Sequence, residues 1–126
     1  MEEARRGEIF IKDIDQKTLG TVIHYIYTGE LEMAQDYDIQ MLVHAVDKYD
    51  LPGMKQLLVN KMRKEVLNGE NIADLIISAY RHDVKELKDL ALDMMKANRE
   101  VFKDEGFRQL MKEADPNIML DIVNEL

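Results

Sequence analysis

The sequence predicts a mainly α-helical protein with one or two short strands. Apolar residues recur at intervals of three and four along most of its 126 residues, which is typical of helices with one buried face. Six glycines and two prolines stand mostly between these periodic stretches, where they end one helix and begin the next. One short segment, residues 8–12, is β-branched and aromatic and follows a glycine, which favours a strand.

The first helix is expected over residues 16–27. Asp15 precedes it as a capping residue, and Gly29 suits the left-handed conformation that ends a helix. Its apolar residues follow the spacing of a buried stripe: Leu19, Val22, Ile23 and Ile26.

Six further helices follow with short connections. Asp38 opens a helix over residues 39–49, and Pro52 fits the first turn of the next. The pair at 68–69, Asn-Gly, indicates a turn before a fourth helix that begins at residue 70 or 71. A fifth begins near residue 84, a sixth after Gly106, and a terminal helix follows the cap and proline at 115–116. The helix pairs do not recur with matching residues, so a repeat protein is rejected.

Composition excludes several classes of protein. The absence of cysteine removes disulfides, thiolate metal sites and cysteine nucleophiles. No apolar run approaches the roughly 18–20 residues of a membrane span, and the first residues lack the apolar core of a signal peptide. A net charge of −8 argues against binding of nucleic acid, which requires cations to neutralise phosphates. The expected location is intracellular.

Catalytic and metal motifs are also absent from the sequence. The three histidines, His24, His44 and His82, form no HxxxH or HExxH pair, although His44 and Asp47 are close enough along a helix to touch. Ser78 lies within a helical pattern without a base at a defined spacing. We therefore expect no enzyme activity, no metal and no cofactor.

Nine methionines are a high number for a chain of this length. At positions such as 54, 62, 94 and 111 they fall on the apolar stripes, which favours a role in the core. The alternative is an adaptable groove for a partner, because the flexible thioether side chain accommodates different surfaces.

Three stretches together resemble the second half of a BTB/POZ domain: residues 9–15, residues 24–29 (HYIYTG) and residues 42–51 (LVHAVDKYDL). Residues 69–75, 87–91 and 98–107 look like the BACK-like or 3-box helical extension that follows this domain in cullin adaptors. The spacing is most similar to the speckle-type POZ group, whose members usually carry a MATH domain before the BTB domain. The resemblance implies a partial BTB/POZ domain over residues 1–67 and a helical extension over residues 68–126.

In that family the two parts bind the N-terminal region of a cullin-3 scaffold, and a MATH domain recruits the protein to be ubiquitinated. The family contacts cullin through an apolar-x-Glu motif before the strand, and Met1 and Glu3 stand at that spacing. Further contacts come from the helix that ends at Tyr27 and from residues 72–80. The resemblance thus implies a cullin-3 adaptor, nuclear or cytoplasmic, which recruits no substrate by itself.

The family's opening strands and first two helices have no counterpart here, so the sequence looks like a fragment. The apolar faces of the helices at 16–27 and 39–49 are then expected to be exposed. Two alternatives remain open. One is an oligomerisation or transcription-regulator module without cullin binding, with homo-oligomers formed through the BTB part or the terminal helices. The other is a small helical enzyme.

Overall fold

The computed structural model describes residues 14–49, 53–65 and 67–126, and within these ranges the chain contains helices and no strand. The prediction of a mainly α-helical protein is confirmed. The helices are α1 (Gln16–Thr28), α2 (Ile39–Tyr49), α3 (Met54–Arg63), α4 (Gly69–Arg81), α5 (Lys85–Ala97), the 3-10 helix η1 (Arg99–Lys103), α6 (Glu105–Glu113) and α7 (Pro116–Glu125). The strand predicted over residues 8–12 lies outside the described residues. The prediction that Pro52 lies in the first turn of α3 is wrong, because α3 begins at Met54 with Gly53 as its N-cap.

Side-chain caps begin several helices where the sequence predicts them. The carboxylate of Asp15 accepts a hydrogen bond from the backbone N–H of Thr18 at 2.7 Å and so begins α1. Asp115 does the same for α7, whose first residue is a proline. Gly29 ends α1 with a φ of 74°, a conformation that residues with a Cβ adopt only under strain.

The pair at 68–69 begins a helix directly and forms no separate turn, so this part of the prediction is wrong. Asn68 caps α4 by accepting the N–H of Asn71 at 2.8 Å, and the helix begins at Gly69. In the same way Asp104 caps α6, which begins at Glu105. Asparagine favours both turns and caps, because its short side chain bonds to nearby backbone groups in either case.

Glycine allows the N-terminal ends of α4 and α6 to approach each other closely. A Cβ atom on Gly69 would lie 2.4 Å from Cγ of Asp104, and one on Gly106 would lie 2.5 Å from Cγ of Glu70. Both distances are shorter than any ordinary carbon contact. The two glycines are therefore required by this contact between helices.

Helix α4 lies at the centre of the described structure. It packs against α2, α5 and α6, and eight of its 13 residues are buried. Helix α2 also contacts α1 and α3, α3 contacts α5, and η1 contacts α5 and α6. Helix α7 contributes Ile118 and Ile122 to the core.

The expectation of exposed apolar faces is confirmed for α1 and wrong for α2. In α1 Val22 is buried, whereas Ile23 and Ile26, predicted to be buried, are 43% and 59% exposed. The apolar face of α2 is buried from Ile39 to Val46 and half-buried at Tyr49, because α4 packs against this helix. Helix α1 therefore keeps an apolar surface that the other described helices do not cover.

Candidate interaction surface

The last two turns of α1 present an exposed apolar row, which we call the α1 ridge: Ile23, Ile26 and Tyr27. These positions share one helix face because they are three and four residues apart. Tyr27 is 84% exposed, the highest value among the large apolar side chains that are exposed in the described structure. The turn that places it ends at the cap formed by Gly29. An aromatic ring in this position is available for contact with another protein.

The structure places one of the three predicted partner-binding residues. Tyr27 lies on the α1 ridge, while Met1 and Glu3 lie outside the described residues. The segment at 72–80, also expected to contact a partner, is the interior of α4 and is mostly buried. Three of the more accessible positions along this helix, Asn71, Asp74 and Arg81, line a cleft instead.

This cleft lies between α2 and α4 and has a volume of about 770 Å³; we call it the α2–α4 cleft. Residues 36–38, which lead into α2, form one side. The remaining lining residues come from the two helices and from the residue that follows α4: Ile39, Gln40, Met41, His44, Asn71, Asp74, Arg81 and His82.

A polar bridge crosses the cleft. The amide nitrogen of Gln40 donates a hydrogen bond to Asp74 at 2.9 Å, and its amide oxygen accepts one from Arg81 at 3.2 Å. One side chain of α2 is thus held between an acceptor and a donor of α4. The bridge fixes the register of the two helices along the cleft, because the donor and acceptor of the amide are both used.

Two histidines that the sequence keeps apart meet at the end of the cleft. The rings of His44 and His82 have centroids 4.9 Å apart, and Nδ1 of His82 lies 3.3 Å from a carboxylate oxygen of Asp47. The carboxylate predicted to touch His44 thus lies beside His82. This pairing depends on how α4 packs against α2, and local spacing does not reveal it. No group of three or more histidine and carboxylate side chains in the described ranges is arranged to hold a metal ion.

The segment before α2 is attached both to α1 and to the residues that follow α3. The Tyr37 hydroxyl donates a hydrogen bond to Glu65, just after α3, and Lys17 of α1 pairs with Asp36. Burial raises the pKa of Tyr37, and the adjacent carboxylate of Glu65 raises it further. The phenol therefore stays protonated at neutral pH and keeps its role as donor. The hydrogen bond from Lys17 lowers the pKa of Asp36.

A second exposed apolar row lies on α7 and continues to the last residue; we call it the terminal stripe. Its members are Leu120, Val123 and Leu126, which are 59%, 62% and 42% exposed. On another face of α7, Tyr80 of α4 lies near two of its carboxylates. Burial raises the pKa of Tyr80, and the charges of Asp121 and Glu125 add to this effect.

Comparison with known proteins decides the family. The sequence model of the BTB/POZ domain matches residues 1–66, just over half of the chain. This chain belongs to the BTB/POZ domain family. BTB/POZ domains mediate protein–protein interaction and oligomerisation, so the exposed apolar rows are candidate interaction surfaces.

Two curated relatives extend the similarity beyond the BTB/POZ region. The BTB/POZ domain-containing protein At4g08455 of Arabidopsis thaliana is 29% identical over 97% of this chain. The TD and POZ domain-containing protein 5 of Mus musculus is 29% identical over 94% of it. The chain spans 49% and 35% of the lengths of these two relatives.

The BTB/POZ match contains α1, α2 and α3, whereas α4 to α7 follow it. The α1 ridge therefore lies in the BTB/POZ region, and the α2–α4 cleft lies where this region meets the helices that follow. Among the described helices, none combines the length and the apolar character needed to cross a membrane.

Proposed function

We propose that this chain is a protein-interaction module that acts as the adaptor segment of a cullin-3 RING ubiquitin ligase and binds the N-terminal region of the cullin. The observation that carries the proposal is the α1 ridge. It is an exposed apolar row in a BTB/POZ region, and it ends at Tyr27, which the family resemblance assigns to partner contact.

The proposed division is a partial BTB/POZ domain over residues 1–67 followed by a BACK-like or 3-box extension over residues 68–126, as in the speckle-type POZ group. The family match ends at residue 66, and both relatives align well beyond that point, which supports this division. The cleft at the junction supports a partner that contacts both parts, because each contributes to its lining.

In this proposal the chain supplies binding and no catalytic step. Substrate recruitment belongs to a separate domain, of the MATH type in the resembled group. The relatives are two to three times the length of this chain and so have room for such a domain. Cullin-3 as partner implies an intracellular site of action, nuclear or cytoplasmic.

The contribution expected of Tyr27 to the free energy of cullin binding follows from the exposure of its side chain. A tyrosine ring that becomes covered at the centre of an interface is a frequent hot spot, and its truncation to alanine typically costs more than about 1 kcal/mol. We expect Tyr27→Ala to weaken cullin binding by roughly 5- to 30-fold, because each 1.4 kcal/mol corresponds to about tenfold. The side chain is 84% exposed, so the substitution should leave the fold intact.

The test is a calorimetric titration of the chain with the N-terminal domain of cullin-3. Tyr27→Ala, Met1→Asp and Glu3→Lys should each weaken binding. Leu120→Ala is the matched control, because it removes a similarly exposed apolar side chain from α7. Failure of the folded chain to bind cullin, or equal affinity of all four variants and the parent chain, contradicts the proposal.

The terminal stripe favours a second candidate, a POZ oligomerisation or transcription-regulator module that does not bind cullin. The exposed apolar row on α7 offers a surface for self-association, since burial of apolar area drives association. Light scattering after size exclusion distinguishes the two functions. A defined oligomer that Val123→Glu converts to a monomer, in a chain without cullin affinity, supports this alternative.

A further inference from the structure

A third surface lies where η1, α6 and α7 meet. A cleft of about 360 Å³ opens there, and none of its lining residues belongs to α1, α2 or α4. Four apolar and two cationic side chains line it: Phe102, Phe107, Arg108, Met111, Lys112 and Met119. We call it the α6 cleft.

The floor of the α6 cleft is aromatic and its sides are adaptable. Phe107 is buried, and the ring of Phe102 meets it edge-on with centroids 5.6 Å apart. Met111 and Met119 flank the rings, and thioether side chains adjust readily to different apolar groups. The volume accommodates one bulky apolar side chain, at the lower end of the range of about 300–1,000 Å³ for small-ligand sites.

Cations border this apolar floor on one side. Arg108 and Lys112 are one turn apart on the same face of α6, both are exposed, and neither forms an ion pair with a described residue. Arg108 and Lys112 also line a neighbouring trough of about 340 Å³, to which Lys103 contributes. The Nζ of Lys103 lies 3.8 Å from Oε1 of Glu100. Among the described residues that line the cleft and the trough, Glu105 is the single carboxylate.

We propose that the α6 cleft binds a short acidic peptide segment of a partner protein. The peptide inserts one bulky apolar side chain above Phe107, and its flanking carboxylates pair with Arg108 and Lys112. Charge complementarity identifies this occupant, because these cations form a locally positive surface on a chain of net charge −8.

Methyl NMR tests this binding directly on the chain labelled with ¹³C at the methionine methyl groups. The probe is the peptide acetyl-Asp-Glu-Phe-Glu-Asp-amide, and the control peptide replaces each acidic residue with lysine. We expect the acidic peptide to shift the signals of Met111 and Met119 and to leave those of the buried Met54 and Met62 unchanged. The shifts should decrease as salt is added, because exposed charge pairs are screened.

Charge reversal provides the matched variants. Arg108→Glu combined with Lys112→Glu should weaken binding of the acidic peptide by about fivefold or more, since two favourable exposed pairs become repulsive. Lys61→Glu on α3, also exposed, should leave the affinity unchanged. The signals of Met54 and Met62 report that each variant remains folded.

Four results contradict the proposal. The first is an absence of shifts at Met111 and Met119 with millimolar peptide, and the second is equal binding of the acidic and lysine peptides. The third is movement of these two signals with protein concentration alone, which assigns the cleft to a second copy. Phosphatidylserine vesicles that perturb both signals in place of the peptide likewise overturn it.

Discussion

Replacement of Gly69 by alanine tests the close approach of α4 and α6. The new methyl carbon would lie 2.4 Å from both Cγ and Oδ1 of Asp104, whereas carbon atoms in contact prefer about 3.5–4.0 Å. The Asp104 carboxylate must therefore move by about 1 Å or more. It accepts the N–H of Phe107 at 2.8 Å, so this movement breaks the cap of α6.

The magnitude combines two opposing effects. Loss of an N-cap costs about 0.5–2 kcal/mol, and strain in a tightly packed contact adds about 1–3 kcal/mol. Removal of glycine from a helix returns at most about 1 kcal/mol. We expect Gly69→Ala to lower the free energy of unfolding by about 1–3 kcal/mol, a decrease in Tm of several degrees.

Urea unfolding followed by circular dichroism measures this change. Gly20→Ala is the matched control, because a Cβ atom there meets nothing within 4 Å and should stabilise α1 by about 0.5–1 kcal/mol. In an Asp104→Gly background all three atoms that a Cβ on Gly69 would meet, the Cβ, Cγ and Oδ1 of Asp104, are gone, so Gly69→Ala should be close to neutral. Equal effects of Gly69→Ala with and without Asp104, or a stabilisation like that of Gly20→Ala, would refute the reasoning.

Three further predictions concern caps and hydrogen bonds. Asp15→Ala should destabilise the fold by about 1 kcal/mol at neutral pH, while Asp15→Asn keeps the cap. Hydrogen bonds from Thr18 lower the pKa of Asp15 from 3.8, so its contribution to stability is complete above pH 3.8 and is lost as the pH falls through the folded-state pKa. Urea unfolding at neutral and at acidic pH measures this. A difference in stability between the parent and the Asp15→Ala variant that is the same at both pH values contradicts the prediction. Tyr37→Phe should lower the free energy of unfolding by about 0.5–1.5 kcal/mol, measured by thermal unfolding. Because the pKa of Tyr37 is raised, the difference in stability from the parent should shrink above the usual tyrosine pKa of 10.0. An equal difference at all pH values argues against the hydrogen bond to Glu65. Gly29→Ala should cost about 1 kcal/mol in the same assay, since its φ is 74°, and a neutral result contradicts the left-handed cap.

The helices could be predicted because their signals are local. The caps formed by Asp15 and Asp115, and the end of α1 at Gly29, each depend on residues within one turn. The glycines at 69 and 106 could not be interpreted in this way. Their role depends on a contact between α4 and α6, more than 30 positions apart, and a glycine required for close approach looks the same in sequence as a glycine that forms a turn.

The interaction surface was predicted only in part for a similar reason. Tyr27 belongs to a recognisable motif, and its exposure agrees with a role in binding. The pairing of His82 with Asp47 and the bridge through Gln40 arise from the packing of α2 against α4. The buried stripe expected in α1 was wrong at Ile23 and Ile26, because periodicity identifies an apolar face and says nothing of whether a neighbour covers it.

The central position of α4 has a consequence for the order in which the molecule opens. Its backbone amides are enclosed by α2, α5 and α6, so we expect them to exchange with solvent deuterium last, at the rate of global unfolding. Helix α1 packs mainly against α2 and should exchange much earlier. The helix that presents Tyr27 then has more freedom than α4 to adjust to a bound protein, while the slowest-exchanging helix keeps the rest of the surface in place.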